Sequence, residues 1–258
     1  MLLPLKDRNP LRHVRFQYVT IVLIGACVLA FLWEIGLGPD GRRALYAYGM
    51  IPSVLFGTRS LPPEVGALPA TLTVVTSMFL HGGWMHLLGN MLYLWIFGDN
   101  VEDSMGHRRF IAFYLLCGII AALAHAAAVP DSTVPTIGAS GAISGVLGAY
   151  LVLHPRAQIR VLVFFPFIIG LPAWIVLGSW IGLQALNVAT DSGGVGGGVA
   201  WWAHIGGFVA GALLIAPMRR RGVPLFDGLR SARAVGRAMV AKPARSRIPD
   251  AGGSWRRR

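Results

Sequence analysis

The feature that most constrains the fold of this chain is a series of long runs without any Asp, Glu, Lys or Arg. Six such runs cover residues 16–33, 65–98, 110–130, 132–155, 161–190 and 192–218. Each run reaches the roughly 18 residues that an α-helix needs to cross about 30 Å of hydrocarbon. Charged residues make up 13% of the chain, against about 25% in a soluble domain. We therefore expect a membrane protein.

The runs predict an all-α membrane protein whose domain over 17–217 is a bundle of six transmembrane helices. These predicted spans one to six lie near residues 17–36, 84–103, 110–128, 139–154, 171–188 and 200–217. The run 65–98 is longer than one span, so its first part belongs to a long first loop over 37–80. A break is expected at Gly170–Pro172, because proline disfavours helix in the residue before it.

The basic residues are distributed unevenly between the two sides of this bundle. The two terminal segments and the loops after predicted spans two and four hold 20 of the 23 Lys and Arg residues. Since basic loops mark the cytoplasmic face, the N-terminus 1–16 and the tail 218–258 are both predicted to be cytoplasmic. We expect the tail to be disordered and to contact anionic lipid. Nucleic acid is the less favoured interpretation of the same charge and is not expected as a partner.

Four polar residues share one predicted depth in the membrane. Predicted spans two, four and six all run inward from the outer side, so their first turns lie near the outer surface. These turns carry His86 and Asn90 on span two, Ser140 on span four and His204 on span six. Scattered structural polar groups have no reason to agree in depth, and we interpret the four as one site.

Ser140 and His204 have the chemistry of a nucleophile and its base. A serine hydroxyl needs an adjacent base, and imidazole accepts protons near neutral pH. Small residues that would let the two helices approach closely are Gly141, Gly145, Gly207 and Gly211. Each motif alone also fits plain helix packing, which is the alternative interpretation. Their combination favours a catalytic pair.

His86 and Asn90 lie four residues apart and share one helix face. With the backbone N–H of Ser140, they could donate hydrogen bonds to the oxyanion of a tetrahedral intermediate. Holding helices together is the alternative role. No Asp or Glu lies in a predicted span core apart from Glu34, so a Ser–His dyad is predicted and a Ser–His–Asp triad is not. No metal ion or cofactor is expected.

Taken together, these residues resemble the rhomboid intramembrane serine proteases. The matching segments are His81–His86 with Asn90, Gly138–Gly141, and Ala203-His204 with Gly207 and Gly211, and the similarity runs over roughly residues 45–217. The resemblance implies that helix four starts in a water-filled cavity, with Ser140 as nucleophile and His204 as general base. It also implies single-span or multi-span membrane proteins as substrates. Span five and the Gly-rich connection 189–199 would control their entry.

Two positions depart from the family pattern. Many members carry a Trp-Arg pair in the first loop, where this chain has Ala67–Leu72. Some members place an aromatic residue four positions after the nucleophile, where this chain has Ser144. We therefore expect Trp201 or Trp202 to hold the ring of His204.

Two other functions remain as alternatives. A catalytically inactive relative would act as a binding or chaperone-like membrane protein, but such relatives typically lose the serine or the histidine. A transporter of this size often shows an internal repeat, and the sequence shows none. The short basic N-terminus with Asp7 does not look like a transit peptide, which favours a bacterial inner membrane as the location.

Overall fold

The computed structural model describes residues 3–65, 68–190 and 199–227. Its helices are α1 (Tyr18–Gly36), α2 (Gly41–Tyr48), α3 (Pro52–Leu55), α4 (Ala70–Thr76), α5 (Trp84–Met105), α6 (His107–Ala128), α7 (Ser140–Leu153), α8 (Ala173–Thr190) and α9 (Trp201–Met218). Its strands are β1 (Leu3–Asp7), β2 (Gln158–Phe164) and β3 (Phe167–Pro172). The six longest helices follow the six predicted spans closely, because charged or turn-forming residues end each apolar run.

Four of the described helices are long and apolar enough to cross a membrane, namely α1, α6, α8 and α9. Helix α5 carries Asp99, Glu102 and Asp103 near its C-terminal end. Helix α7 has 14 residues, which give a length of about 21 Å at 1.5 Å per residue. The chain is thus a mainly helical membrane protein, and the number of six spans stays a prediction.

Helix α7 lies at the centre of the molecule and is buried along almost its whole length. It packs against α9 through glycines. A Cβ atom at Gly207 would collide with the carbonyl oxygen of Gly141, and one at Gly211 would collide with that of Gly145. Only glycine allows two helix backbones to approach so closely. This contact brings the first residue of α7 beside the first turn of α9.

The prediction of an all-α fold was wrong at the N-terminal segment and between α7 and α8. The three strands form an antiparallel sheet in the order β1-β2-β3. Most of the β2–β3 hairpin is the uncharged run 161–170, and a short apolar run of this kind fits a strand or a buried helix equally well. Ile159 and Val161 anchor the sheet in the apolar core. The predicted break at Gly170–Pro172 coincides with the end of β3.

The segment 37–80, predicted as a long loop, contains α2, α3 and α4. It supports the chain that leads into α7. Met50 exchanges two backbone hydrogen bonds with Thr136, at N···O distances of 3.1 and 2.7 Å. The backbone N–H of Gly138 donates to the carbonyl oxygen of Ser77 at 2.9 Å. The start of α7 is therefore fixed from outside the helix.

The bundle of long helices has two ends, which we call the Ser140 end and the Asp103 end after a residue at each. The carboxylate of Asp103 accepts hydrogen bonds from the backbone N–H groups of Arg12, His13 and Val14, at distances of 2.6 to 3.0 Å. The N-terminal segment, to which the sequence assigned no structure, is therefore bound to the helices at the Asp103 end.

The prediction of a disordered tail from residue 218 was wrong for its first residues. Phe226 and Asp227 donate backbone hydrogen bonds to the last turn of α7, both at 2.8 Å. These contacts keep the segment 219–227 packed at the Asp103 end. The rest of the predicted tail, 228–258, and residues 191–198 of the predicted Gly-rich connection lie outside the described residues.

Candidate active site

The side chains of Ser140 and His204 contact each other at the Ser140 end. Ser140 Oγ lies 2.8 Å from Nε2 of His204. This distance suits a hydrogen bond in which the hydroxyl donates to an unprotonated ring nitrogen. Ser140 begins α7 and His204 lies in the first turn of α9, so the glycine contact between the two helices sets the pair. The arrangement is that of a nucleophile beside a base.

The other ring nitrogen of His204 has a partner on α8. Its Nδ1 lies 2.8 Å from Oε1 of Gln184, whose side chain is buried. An amide oxygen only accepts hydrogen bonds, so Nδ1 carries the ring proton and Nε2 is free to accept one from Ser140. Gln184 was not predicted from the sequence. The signal that was available is a long polar side chain within predicted span five.

Two tryptophan rings flank the imidazole. The ring centroid of Trp180 lies 5.6 Å from that of His204 at an interplanar angle of 39°, and that of Trp201 lies 6.1 Å away at 81°. The prediction named Trp201 or Trp202. Of these two, Trp201 packs against the ring, while Trp202 has no ring contact with His204 in the described part of the chain. Trp180, on α8, was not predicted.

The turn before α7 has the geometry of an anion-binding helix start. Gly138 has a φ of +117°, which favours glycine, and a Cβ atom there would collide with the ring of His86. Ser144 Oγ donates to the carbonyl oxygen of Ser140 at 2.6 Å and braces the first turn. The N–H of Ser140 has no acceptor within the helix that it begins. The positive end of the helix dipole lies there and favours negative charge.

His86 and Asn90 line the same cavity as Ser140 and His204. The Nδ2 atom of Asn90 is buried and has no hydrogen-bond partner among the described residues. Leaving a buried donor unpaired costs roughly 1–3 kcal/mol, so such groups call for an explanation. One explanation is a hydrogen-bond acceptor that arrives with a reacting group. The ring of His86 packs edge-on against His81, with centroids 5.1 Å apart.

The cavity has a volume of about 770 Å³ and lies between α5, α7, α8 and the start of α9. Its walls combine the four polar residues with apolar side chains, which include Trp84, Tyr93, Ile137, Ile143, Leu147 and Trp180. The volume lies in the range typical of ligand sites, and a mostly apolar wall with a few convergent polar groups is their usual composition. Across residues 3–65, 68–190 and 199–227, no three His, Cys, Asp or Glu side chains are grouped as a metal site.

Glu34, the acid that the sequence places in a predicted span, binds the loop before α5. Its carboxylate accepts the backbone N–H of His81 at 3.2 Å. The His81 ring donates in turn from Nδ1 to the carbonyl oxygen of Phe79 at 3.1 Å. Burial lowers the pKa of His81 to about 4, so its ring is neutral at physiological pH. Glu34 therefore supports the cavity wall, and the Nδ1 partner of His204 is an amide.

These helices and this site define a class of protein: a helical membrane protein with a serine–histidine pair in a cavity at one end of its spans. The Rhomboid domain, described by a family sequence model, matches residues 69–221 of the chain. The match covers more than half of the sequence and includes every residue of the candidate site. The chain belongs to the Rhomboid family.

Curated relatives include Rhomboid protein 1, mitochondrial, of Saccharomyces cerevisiae, which is 32% identical over 199 residues, or 74% of this chain and 50% of the yeast protein. Rhomboid protease GluP of Bacillus subtilis is 32% identical over 204 residues, or 78% of this chain and 35% of GluP. RHOMBOID-like protein 12, mitochondrial, of Arabidopsis thaliana is 29% identical over 164 residues, or 57% and 46% of the two chains. The chain thus spans half or less of the length of these relatives.

Proposed function

We propose that this chain is an intramembrane serine endopeptidase that uses a dyad of Ser140 and His204. The observation that carries the proposal is the 2.8 Å contact between Ser140 Oγ and His204 Nε2 inside a cavity among membrane helices. Membership of a family that includes the Rhomboid protease GluP supports the same reaction class.

In the proposed mechanism, the base takes the proton of the nucleophile. Ser140 Oγ attacks the carbonyl carbon of a peptide bond while its proton passes to Nε2 of His204. The imidazolium then gives that proton to the leaving amine, and an acyl-enzyme forms on Ser140. Water, deprotonated by the same ring, attacks the ester. The bond between the acyl carbon and Ser140 Oγ then breaks, the second product leaves, and the imidazolium returns its proton to Ser140 Oγ. All these groups line one cavity, so no helix has to move between the proposed steps.

The tetrahedral intermediates carry a negative oxygen that needs hydrogen-bond donors. The backbone N–H of Ser140, the Nδ2 amide of Asn90 and the ring of His86 are the proposed donors. Their support lies in the unpaired state of Asn90 Nδ2 and in the position of Ser140 at a helix N-terminus. Hydrogen-bond donors that are already in position stabilise the developing charge more than water does, because they need not reorient during the reaction.

Gln184 takes the position that an acid has in a catalytic triad. Its Oε1 accepts the Nδ1 proton of His204 and so selects the tautomer in which Nε2 is a base. A neutral amide stabilises the imidazolium less than a carboxylate does. We therefore assign to Gln184 an orienting role, shared with the rings of Trp180 and Trp201.

The proposed substrates are single-span or multi-span membrane proteins that are cut near the outer membrane face. The cavity is formed by membrane helices, so a membrane segment is the substrate that reaches it most directly. Helical peptide bonds are shielded by their own hydrogen bonds, and cleavage requires a locally extended stretch. We expect helix-weakening Gly or Pro and small residues near the cut.

The proposed orientation places the Ser140 end outside and the Asp103 end in the cytoplasm. Arg12, Arg108 and Arg109 and the arginines at 219–221 all belong to the Asp103 end, and basic residues mark the cytoplasmic side. On this proposal the domain over 17–217 crosses the membrane six times, both termini are cytoplasmic, and the membrane is a bacterial inner membrane. Contact between the tail and anionic lipid stays a prediction.

The proposal is tested by cleavage of a model single-span protein by the purified chain in liposomes. Wild-type protein is expected to release two fragments, and Ser140→Ala and His204→Ala are each expected to release none. Ser179, on α8, donates a hydrogen bond to the carbonyl oxygen of Val176 and does not line the cavity, so Ser179→Ala is the matched control and is expected to cleave like wild type. If a correctly folded wild-type chain binds the substrate without cutting it, the chain is instead a non-catalytic, binding or chaperone-like member of the family.

A further inference from the structure

We propose that the Asp103 end contains a binding site for a phosphate group, formed where α6 begins and α9 ends. A cavity of about 750 Å³ opens there, lined by four arginines together with His13 and His107. The arginines are Arg108 and Arg109 in the first turn of α6, and Arg220 and Arg221 just after α9. The site is remote from Ser140, and the inference does not depend on proteolysis.

The arginines of this cavity have no acidic partner in the part of the chain that the structure describes. Among the described residues, no carboxylate lies within ion-pair distance of any of the four, and Nε of Arg220 is buried without a hydrogen-bond partner. The nearby acids are already occupied. Asp103 pairs with His13 at 3.0 Å and Glu102 with His107 at 2.5 Å. The cavity therefore has an excess of positive charge that an anion would balance.

Backbone geometry adds donors to the same cavity. Gly106 precedes α6 with a φ of +83°, and no side chain caps the helix. The first N–H groups of α6 therefore have no acceptor within the helix. The positive end of the helix dipole lies at the cavity and favours an anion there. A Cβ atom at Gly106 would meet the guanidinium of Arg220 at 2.7 Å. Glycine at this position keeps the arginine and the helix start together.

The depth of the cavity indicates which anion it binds. Helices α6 and α9 are both long and apolar enough to cross a membrane, and the cavity lies at the end of both. This is the level of the lipid headgroups. Guanidinium groups bind phosphate through paired hydrogen bonds, and basic pockets between helix ends are typical headgroup sites. The structure assigns the site to a phosphate group, with an anionic phospholipid as its source.

The test measures lipid binding to the detergent-purified full chain by native mass spectrometry. The probes are phosphatidylglycerol and phosphatidylcholine with identical acyl chains. The variant Arg108→Gln/Arg221→Gln changes two exposed side chains, so its fold should be retained. Each basic residue at a membrane surface contributes about 1 kcal/mol, or about fivefold in affinity. We expect this variant to bind phosphatidylglycerol about 25-fold more weakly, with phosphatidylcholine unchanged. Arg220→Gln separately tests the guanidinium whose Nε atom is buried.

Two control variants remove the same charge elsewhere. Arg42→Gln/Arg43→Gln acts at α2, and Arg257→Gln/Arg258→Gln acts in the basic tail. Arg42→Gln/Arg43→Gln is expected to bind phosphatidylglycerol within about twofold of wild type. The tail variant, whose segment is predicted to contact anionic lipid, is expected to lose less affinity than the pocket variant. An unchanged lipid preference in the pocket variant, or an equal loss in the tail variant, would overturn the site. Displacement of the bound lipid by inorganic phosphate would identify a general phosphate site, and its retention a headgroup site.

Discussion

The two ends of the helices both bury polar side chains, but the hydrogen bonds of those side chains differ. At the Asp103 end, Glu102 is fully buried and accepts hydrogen bonds from the backbone N–H groups of Val19 and Thr20, from the Thr20 hydroxyl and from His107. At the Ser140 end, Nδ2 of Asn90 is buried and has no hydrogen-bond partner within residues 3–65, 68–190 and 199–227. The saturated carboxylate fixes helices, whereas we propose that the amide of Asn90 serves a reacting group. Substitutions at the two ends should therefore change different quantities.

The largest expected effect is a loss of stability at the Asp103 end. Glu102→Ala leaves two helix N–H groups, a hydroxyl and an imidazole without their acceptor, and should cost about 4 kcal/mol of unfolding free energy. Thermal unfolding followed by tryptophan fluorescence measures the change. Glu64→Ala, which removes an exposed acid, should unfold within about 0.5 kcal/mol of wild type. Equal unfolding temperatures for the two variants would contradict the structural role of Glu102.

The next effect is a loss of rate at the Ser140 end without a loss of stability. Asn90→Ala removes a donor that has no partner in the described part of the chain, so the unfolding free energy should hardly change. Cleavage should slow by about 10²-fold, the usual scale for one oxyanion donor. The measurement is kcat on a model substrate in liposomes, with Asn187→Ala on α8 as the matched control. A wild-type rate in Asn90→Ala would remove this side chain from the mechanism.

A smaller effect is expected for the orienting amide. Gln184→Leu removes the acceptor for Nδ1 of His204 and should lower kcat roughly tenfold with KM little changed. This is well below the ~10⁴-fold loss known for a triad aspartate, because the rings of Trp180 and Trp201 also hold the imidazole. Gln184→Glu keeps an acceptor at this position and should recover most of the rate. A larger change in KM than in kcat would point to a role in substrate entry instead.

The smallest effect concerns the pH dependence of stability at the Asp103 end. Burial lowers the pKa of His154, which follows the last turn of α7, to about 4. As the pH falls below 6.5, the unfolded chain takes up a proton that the folded chain does not, so stability is lost towards pH 4. Between pH 7.5 and 5.5 the loss is about 1 kcal/mol. His154→Phe, which keeps an aromatic ring against Tyr150, should reduce this slope, and an unchanged slope would contradict the assignment.

The long helices could be predicted because their signal is local. Each apolar run ends at charged or turn-forming residues, and the predicted starts at 84, 139 and 200 differ from those of α5, α7 and α9 by one residue at most. The meeting of Ser140 and His204 followed from the shared depth of their helix starts and from the glycines between them. The catalytic roles of these residues stay predictions until activity is measured.

The remaining features depend on contacts that no local pattern encodes. Gln184 reaches His204 only because of the rotation of α8 about its axis, and hydropathy does not report that rotation. The uncharged run 161–170 lies in a hairpin whose first strand also pairs with β1, which is distant in sequence. Residues 12–14 bind Asp103 across about 90 positions of sequence. These contacts come from tertiary structure, so a reading of successive segments cannot find them.

The central claim is that the chain turns the hydroxyl of Ser140 into a nucleophile through His204. Its most direct test is reaction of the purified full chain with a fluorophosphonate, with the modified residue located by mass spectrometry. We predict modification at Ser140 in wild-type protein, none at Ser144, and loss of reaction in a folded His204→Ala variant. Modification of Ser140 at an equal rate in wild type and His204→Ala, or an unreactive Ser140 in folded wild-type protein, would contradict the account.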